Sequence, residues 1–178
     1  MPPNYPMTEN LYPLPNKYNL LKTSNKIYAK FSDWTHGSRK QLLSIIRKSN
    51  KFEYSRKQYS RFFRIPTGDI NPKKYFSEMS KYKFILAPRG GGVDTHRFYE
   101  ALSLNCLPIV VKTNSRFDAL YSEFPCLILD DWGEIVDLNE DYLNSKYINF
   151  VESGFNVNDF YRISKNVAEL YSSLKEGT

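Results

Sequence analysis

The stretch Lys83-Phe84-Ile85-Leu86-Ala87-Pro88-Arg89-Gly90-Gly91-Gly92-Val93-Asp94-Thr95-His96-Arg97-Phe98-Tyr99-Glu100-Ala101-Leu102 decides the fold class. It reads as a short apolar strand, a glycine turn, and the polar first turn of a helix. Three of the chain's eight glycines are consecutive in that turn, so the backbone there can approach a ligand closely. The N–H groups and positive dipole end of a helix N-terminus follow at once, and Arg89 and Arg97 flank the turn. This combination suits a phosphate or pyrophosphate. The spacing G-G-G-V-D-T is neither the dinucleotide fingerprint nor a Walker A loop, which needs Gly-Lys-Ser/Thr. A plain structural turn remains the alternative.

Outward from this stretch, short apolar runs alternate with helical patterns. Residues 26–31 read as a first strand, 32–37 as a polar loop, and Ser38 as the N-cap of a helix through residue 48. Residues 62–66 are a weak second strand, followed by a helix over about 71–81. Residues 84–87, 107–111 and 126–129 are the third to fifth strands. Helices are expected from Asp94 or Thr95 to about Leu104, over 115–122, and over 158–175. The pattern predicts an α/β fold, a parallel sheet of about five strands with helices on both faces, in the order 3-2-1-4-5. Ligands of such sheets bind at the carboxyl ends of the strands, near the switch in strand order. The loops at 32–37 and 89–92 both lie at such ends and are expected to line one site. Residues 1–25 are expected to form an arm or linker, because five of the ten prolines fall in the first 24 residues. Residues 26–178 then form the domain.

Net charge is +6, but it is unevenly placed. Residues 1–83 carry 17 Lys/Arg against 5 Asp/Glu, whereas residues 84–178 carry 8 against 14. A solvated basic face or an anionic partner would explain the first half. No apolar run approaches the roughly 18 to 20 residues of a membrane span, and the first residues lack a signal-peptide pattern. A cytoplasmic location is expected, which an anchor upstream would change. Cys106 and Cys126 each sit beside a strand and are expected to be free buried thiols.

Asp94, Thr95, His96, Arg97 and Glu100 cluster beside the glycine turn, and His96, Arg97 and Glu100 share a helix face by spacing. Capping by Asp94 and a surface ion pair between Arg97 and Glu100 would account for part of the cluster. Arg97 also suits a diphosphate, and Glu100 suits ribose hydroxyls. Phe98, Ala101 and Leu102 point to the core. Asp130 and Asp131 are adjacent at a strand end, where neighbouring side chains diverge, so no metal site is expected. Trp132 is expected to pack. Lysines, arginines and aromatics interleave from Lys51 to Arg64. Without an RNA-binding motif that segment is expected to be a solvated or lobe-facing surface rather than a specific nucleic-acid site.

The runs Phe84-Ile85-Leu86-Ala87-Pro88-Arg89-Gly90, Asp94-Thr95-His96-Arg97, Glu100-Ala101-Leu102 and Leu107-Pro108-Ile109-Val110 together resemble the donor-binding motif of exostosin-type glycosyltransferases. Phe124-Pro125-Cys126-Leu127-Ile128-Leu129-Asp130-Asp131-Trp132 is similar to a further stretch of that family, and the likeness covers roughly residues 26–136. The resemblance implies one Rossmann-like lobe of a GT-B fold, with a UDP- or GDP-sugar as donor, a glycan acceptor and no cofactor. It implies that Arg97 meets the pyrophosphate and Glu100 the ribose, beside Asp94, Thr95 and His96. Arg89 with the Gly90, Gly91 and Gly92 backbone would line the phosphate pocket, approached by Arg39 and His36 from the first loop. The base would lie near residues 66–68. The catalytic base would come from a second lobe, for which this chain has no room before its first strand. An N-terminal lobe or partner subunit is therefore expected. A non-catalytic nucleotide-binding module and a nucleic-acid binder remain the alternatives.

Overall fold

The structure, a computed structural model, describes residues 21–31, 35–54, 72–92, 95–113 and 115–155, together with Asp159. In the central segments neighbouring apolar residues such as Ile27 and Tyr28, or Phe84 and Ile85, are both buried, so these strands are covered on either side. The strands are β1 (Ser24–Ala29), β2 (Phe52–Tyr54), β3 (Tyr82–Leu86), β4 (Leu107–Val111) and β5 (Leu127–Leu129). The helices are α1 (Gly37–Ile46), α2 (Pro72–Met79), α3 (His96–Ser103), α4 (Ser115–Ser122) and α5 (Glu140–Glu152), with a 3-10 turn at Trp132–Val136. All pairings are parallel, in the order β2-β1-β3-β4-β5. This is a Rossmann-like α/β sheet.

Alternation sorts the core into two layers. Ile27 and Ala29, Phe84 and Leu86, Leu107 and Ile109, and Leu127 and Leu129 face Leu42 and Ile46 of α1, Trp132 and Ile135 of the 3-10 turn, and Phe150 of α5. On the opposite face, Tyr28 and Ile85 meet Met79 of α2 and Ala101 of α3, with Leu104 just beyond it. Ala87 and Val110 meet Phe98 and Leu102 of α3 and Tyr121 of α4. Phe98 is fully buried, with the rings of Tyr99, Tyr121 and Phe124 at centroid distances of 5.2, 4.9 and 5.7 Å. Helix α3 ends because Asn105 takes a left-handed φ of 52°, which asparagine tolerates better than most residues, and Cys106 N–H closes back on Ala101 O at 2.9 Å.

The strand order corrects the expected 3-2-1-4-5. The third strand is the inner neighbour of β1, and β2 lies outside β1 at the sheet edge. β2 is Phe52–Tyr54, paired Ile27 with Phe52, Tyr28 with Glu53 and Ala29 with Tyr54; the segment 62–66 expected to be a strand lies outside the described residues. β1 begins at Ser24 rather than residue 26. Thr23 and Ser24 already donate to Lys81 O, and Lys22 Nζ reaches Ser80 O, Leu104 O and Cys106 Sγ at 2.9, 2.8 and 3.2 Å. The expected boundary at residue 25 thus cuts through a segment that is tied to the sheet. β4 and α4 have the expected bounds. Helix α5 was not expected, and the helix expected over 158–175 lies outside the described residues apart from Asp159. No helix among the described residues is long and apolar enough to cross a membrane.

Cys106 is buried, Cys126 half-buried, and both are free. Burial pushes the Cys126 thiol from the ordinary 9 up to about 12. Above pH 9 the unfolded chain therefore loses this proton while the folded chain keeps it, so unfolding is favoured as pH rises. Burial also raises the phenols of Tyr28, Tyr75 and Tyr147, which adds in the same direction above pH 10. Urea midpoints are expected to fall steadily from pH 9 to pH 11, and a flat profile would contradict this. In the same assay Phe98→Ala is expected to remove about 3–5 kcal/mol, as for other large aromatic truncations in a tight core.

Candidate functional site

From β1 the chain moves outward to β2, then crosses to β3 on the other side of β1. In sheets of this kind a ligand crevice lies beyond the carboxyl ends of the two strands where the connections diverge, here β1 and β3. The loop after β1 leads to α1, whose N-cap is His36 rather than the expected Ser38. His36 has an extended backbone, and its Nδ1 accepts from Ser38 N–H at 3.2 Å, with Ser38 Oγ at 2.7 Å from the same nitrogen. That leaves Arg39 in the first turn of α1. Its Nε donates to Arg89 O at 2.7 Å and its Nη2 to Pro88 O at 2.8 Å, while its carbon Cζ lies 5.7 Å from the Phe31 ring centroid. Arg39 thus joins the two loops by gripping the backbone of the second. Arg39, expected to approach a diphosphate, acts in this structure as a brace between the loops.

The glycine turn is shaped by this grip. Gly90 N–H bonds to Gly92 O at 3.0 Å, and a Cβ on Gly90 would stand 3.2 Å from Arg39 Nη2. A Cβ on Gly91 would meet nothing within 4 Å, so this residue faces open space. Arg89 Nε is buried with no hydrogen-bond partner, as is Thr35 Oγ1, which would lie 3.9 Å from a Cβ on Gly90. Buried polar atoms normally find a partner. Two such atoms lie beside the glycine turn. Thr113 Oγ1, in the loop after β4, is a third.

Helix α3 supplies the other wall. Thr95 is its N-cap by backbone geometry but makes no side-chain capping bond, and His96 is exposed at the first position. Arg97 points to α2: its Nε donates to Tyr75 Oη at 3.2 Å, and Tyr75 Oη donates to Glu100 Oε2 at 2.9 Å. The expected Arg97–Glu100 pair is thus bridged through Tyr75 rather than direct. Burial works against the Arg97 charge, but Tyr75 and Glu100 more than offset this, so its pKa lies above the ordinary value and the group is cationic. Lys30, just past β1, pairs with Glu78 of α2 at 3.0 Å and lies 5.7 Å from the Tyr75 ring centroid. Below them the Tyr28 hydroxyl is buried without a partner.

The structure thus joins Arg39 to the backbone of Pro88 and Arg89 beside the glycine turn, and Arg97 to Glu100 through Tyr75 on the helix that follows; Asp94 lies outside the described residues, as do residues 66–68. Thr35, Lys30, Tyr75 and Glu78 were not expected in the site. Lys30 stands at a strand end and Thr35 in a site loop, so position alone could have flagged them; nothing in the sequence marks Tyr75. Asp130 pairs with Lys112, and Asp131 caps the 3-10 turn through Gly133 N–H. Among the described residues no group of three or more His, Cys, Asp or Glu is placed to hold a metal ion. A concavity of about 220 Å³ opens at the opposite end of the sheet, lined in part by Lys26, Lys51 and Lys83. Lys51 there caps Val136 O and Leu138 O, and Lys83 bonds Asn144 Oδ1 at 2.9 Å, which commits both ammonium groups to the fold.

No protein-family model matches the chain, and no curated protein matches its sequence. The site's chemistry is accordingly argued from its own residues. Four cationic side chains, Lys30, Arg39, Arg89 and Arg97, come from the elements that meet at this end of β1 and β3, against two carboxylates, Glu78 and Glu100, a balance that favours an anion. Since hydrogen bonds to charged groups are worth about 1.5–3 kcal/mol net, Arg39→Ala is expected to lower the unfolding free energy by about 2–3 kcal/mol in urea. Arg39→Lys should recover less than half of that, because a lysine cannot span both carbonyls. Full recovery by lysine would count against the two-carbonyl brace.

Proposed function

We propose that this chain is the donor-binding lobe of an exostosin-like glycosyltransferase, a Rossmann-like lobe of the GT-B kind. The observation that carries the reading is the succession, at the switch between β1 and β3, of the glycine turn, the buried and unpartnered Arg89 Nε, and the helix α3 that bears Arg97 and Glu100. The quoted motif likeness supplies the reaction. A UDP- or GDP-sugar would lay its diphosphate against Arg89, the exposed Gly91 and the start of α3, where helix N–H groups favour negative charge.

The same groups account for a chemical role. Departure of the nucleoside diphosphate from the anomeric carbon builds negative charge on the leaving oxygen. Arg89 and Arg97, the latter held by Tyr75, would stabilise that charge as it forms. Glu100 keeps Oε1 for a ribose hydroxyl while Oε2 accepts from Tyr75. The glycan acceptor and the group that deprotonates it would be presented from an N-terminal lobe or a partner subunit.

Calorimetric titration of the full chain with UDP and GDP tests the reading. Binding of at least one is expected, with Arg97→Ala or Glu100→Ala weakening it by at least about 1.5 kcal/mol, the scale of one charge-assisted hydrogen bond. Unchanged affinity in both variants would sink the assignment. Steeply salt-dependent oligonucleotide binding that Arg97→Ala leaves intact would favour a nucleic-acid surface instead.

A further inference from the structure

Between α2 and α3 lies a cluster that capping and packing do not need. Tyr75, in the first turn of α2, is the only group that touches both Arg97 and Glu100 among the bonds at this wall. Its oxygen accepts from Arg97 Nε at 3.2 Å and donates to Glu100 Oε2 at 2.9 Å. Its ring also faces Arg97 Cζ at 5.9 Å and Lys30 Nζ at 5.7 Å, so three ionic side chains converge on one phenol. Lys30 is in turn tied to Glu78, one turn further along α2. The Tyr28 hydroxyl, 0% exposed and without a partner, lies in the same cluster, whose field includes Glu78, Tyr75 and Arg97.

We infer that Tyr75 is a positioning residue, which through its hydroxyl sets the direction of the Arg97 guanidinium and the Glu100 carboxylate and so sets the affinity of the crevice for a nucleoside diphosphate. The inference rests on the reading above for the identity of the ligand, but not for the geometry. One hydroxyl serves both partners because it is acceptor to the first and donor to the second. With Nε–H engaged, the two terminal nitrogens of Arg97 remain to make a bidentate contact with a phosphate. Burial holds the phenol well above its ordinary range, with Arg97 pulling it down and Glu100 pushing it up, so the proton that Glu100 accepts stays in place throughout the neutral range.

Tyr75→Phe removes the hydroxyl and keeps the ring. In full chain labelled with nitrogen-15 arginine, the Arg97 Nε–H signal, assigned by its loss in Arg97→Lys, is expected to exchange slowly with solvent. Exchange should speed up at least about tenfold in Tyr75→Phe, the change expected for one hydrogen bond of ordinary net strength. UDP or GDP affinity should fall by a similar factor, and Tyr75→Phe should cost clearly less in an Arg97→Ala background, where only its hold on Glu100 remains. A folded Tyr75→Phe chain that keeps both the protected signal and wild-type affinity overturns the inference, as does a loss that persists undiminished without Arg97. If Tyr75→Phe fails to fold, Glu100→Gln, which keeps an acceptor for the phenol, must leave the signal protected, and a lost signal there overturns it equally. Protection lost in Tyr75→Phe while the wild-type chain binds neither nucleotide supports the positioning and defeats the nucleotide reading.

Discussion

The guanidinium of Arg39 spans two loops that are about fifty residues apart in sequence, and the site depends on that span. One planar fork reaches two successive carbonyls, Pro88 O and Arg89 O, a geometry only arginine offers. The grip is possible because β1 and β3 are parallel neighbours, with Ile27 opposite Phe84 and Tyr28 opposite Ile85. An order of 3-2-1-4-5 would have put the loop after the third strand at the sheet edge, two strands from the first. Held as it is, the glycine turn has one side against Arg39 and leaves Gly91 open on the other.

The opposite wall is organised by the same economy of donors. Arg39 spends its fork on backbone and shapes the site, while Arg97 spends one donor on Tyr75 and keeps its terminal nitrogens. Arg89 has a buried Nε with no partner. The cations thus divide into those that build the crevice and those that face it. Lys30 and Arg39 come from the basic first half, and they meet Arg89 and Arg97 from the acidic second half at the switch in strand order.

Much of the architecture was legible because it is written in local pattern. The run from Phe84 to Leu102 is strand, turn and helix in both sequence and structure, and Phe98, Ala101 and Leu102 are buried as their spacing predicts. Helix α5 carries legible signals too. Asn139 caps it by accepting from Tyr142 N–H at 2.7 Å, Glu140 and Asp141 occupy the first turn, and Leu143, Tyr147 and Phe150 lie at helical spacing against the core. Phe52–Tyr54 was not legible. Three residues are too few for an alternation, and they are a strand because β1 offers an edge to pair with.

By itself the sequence determined the class of fold, since short apolar strands between amphipathic helices have few stable arrangements other than a covered parallel sheet. It also determined that cations and glycines gather after β3. Only the tertiary structure decided which strand lies beside which, because strand order is set by long-range pairing that no local period records. It likewise decided the separate duties of the arginines. Arg39 is a brace and Arg97 is held by Tyr75 because of where α1 and α2 deliver their first turns, and that placement follows from packing on opposite faces of the sheet.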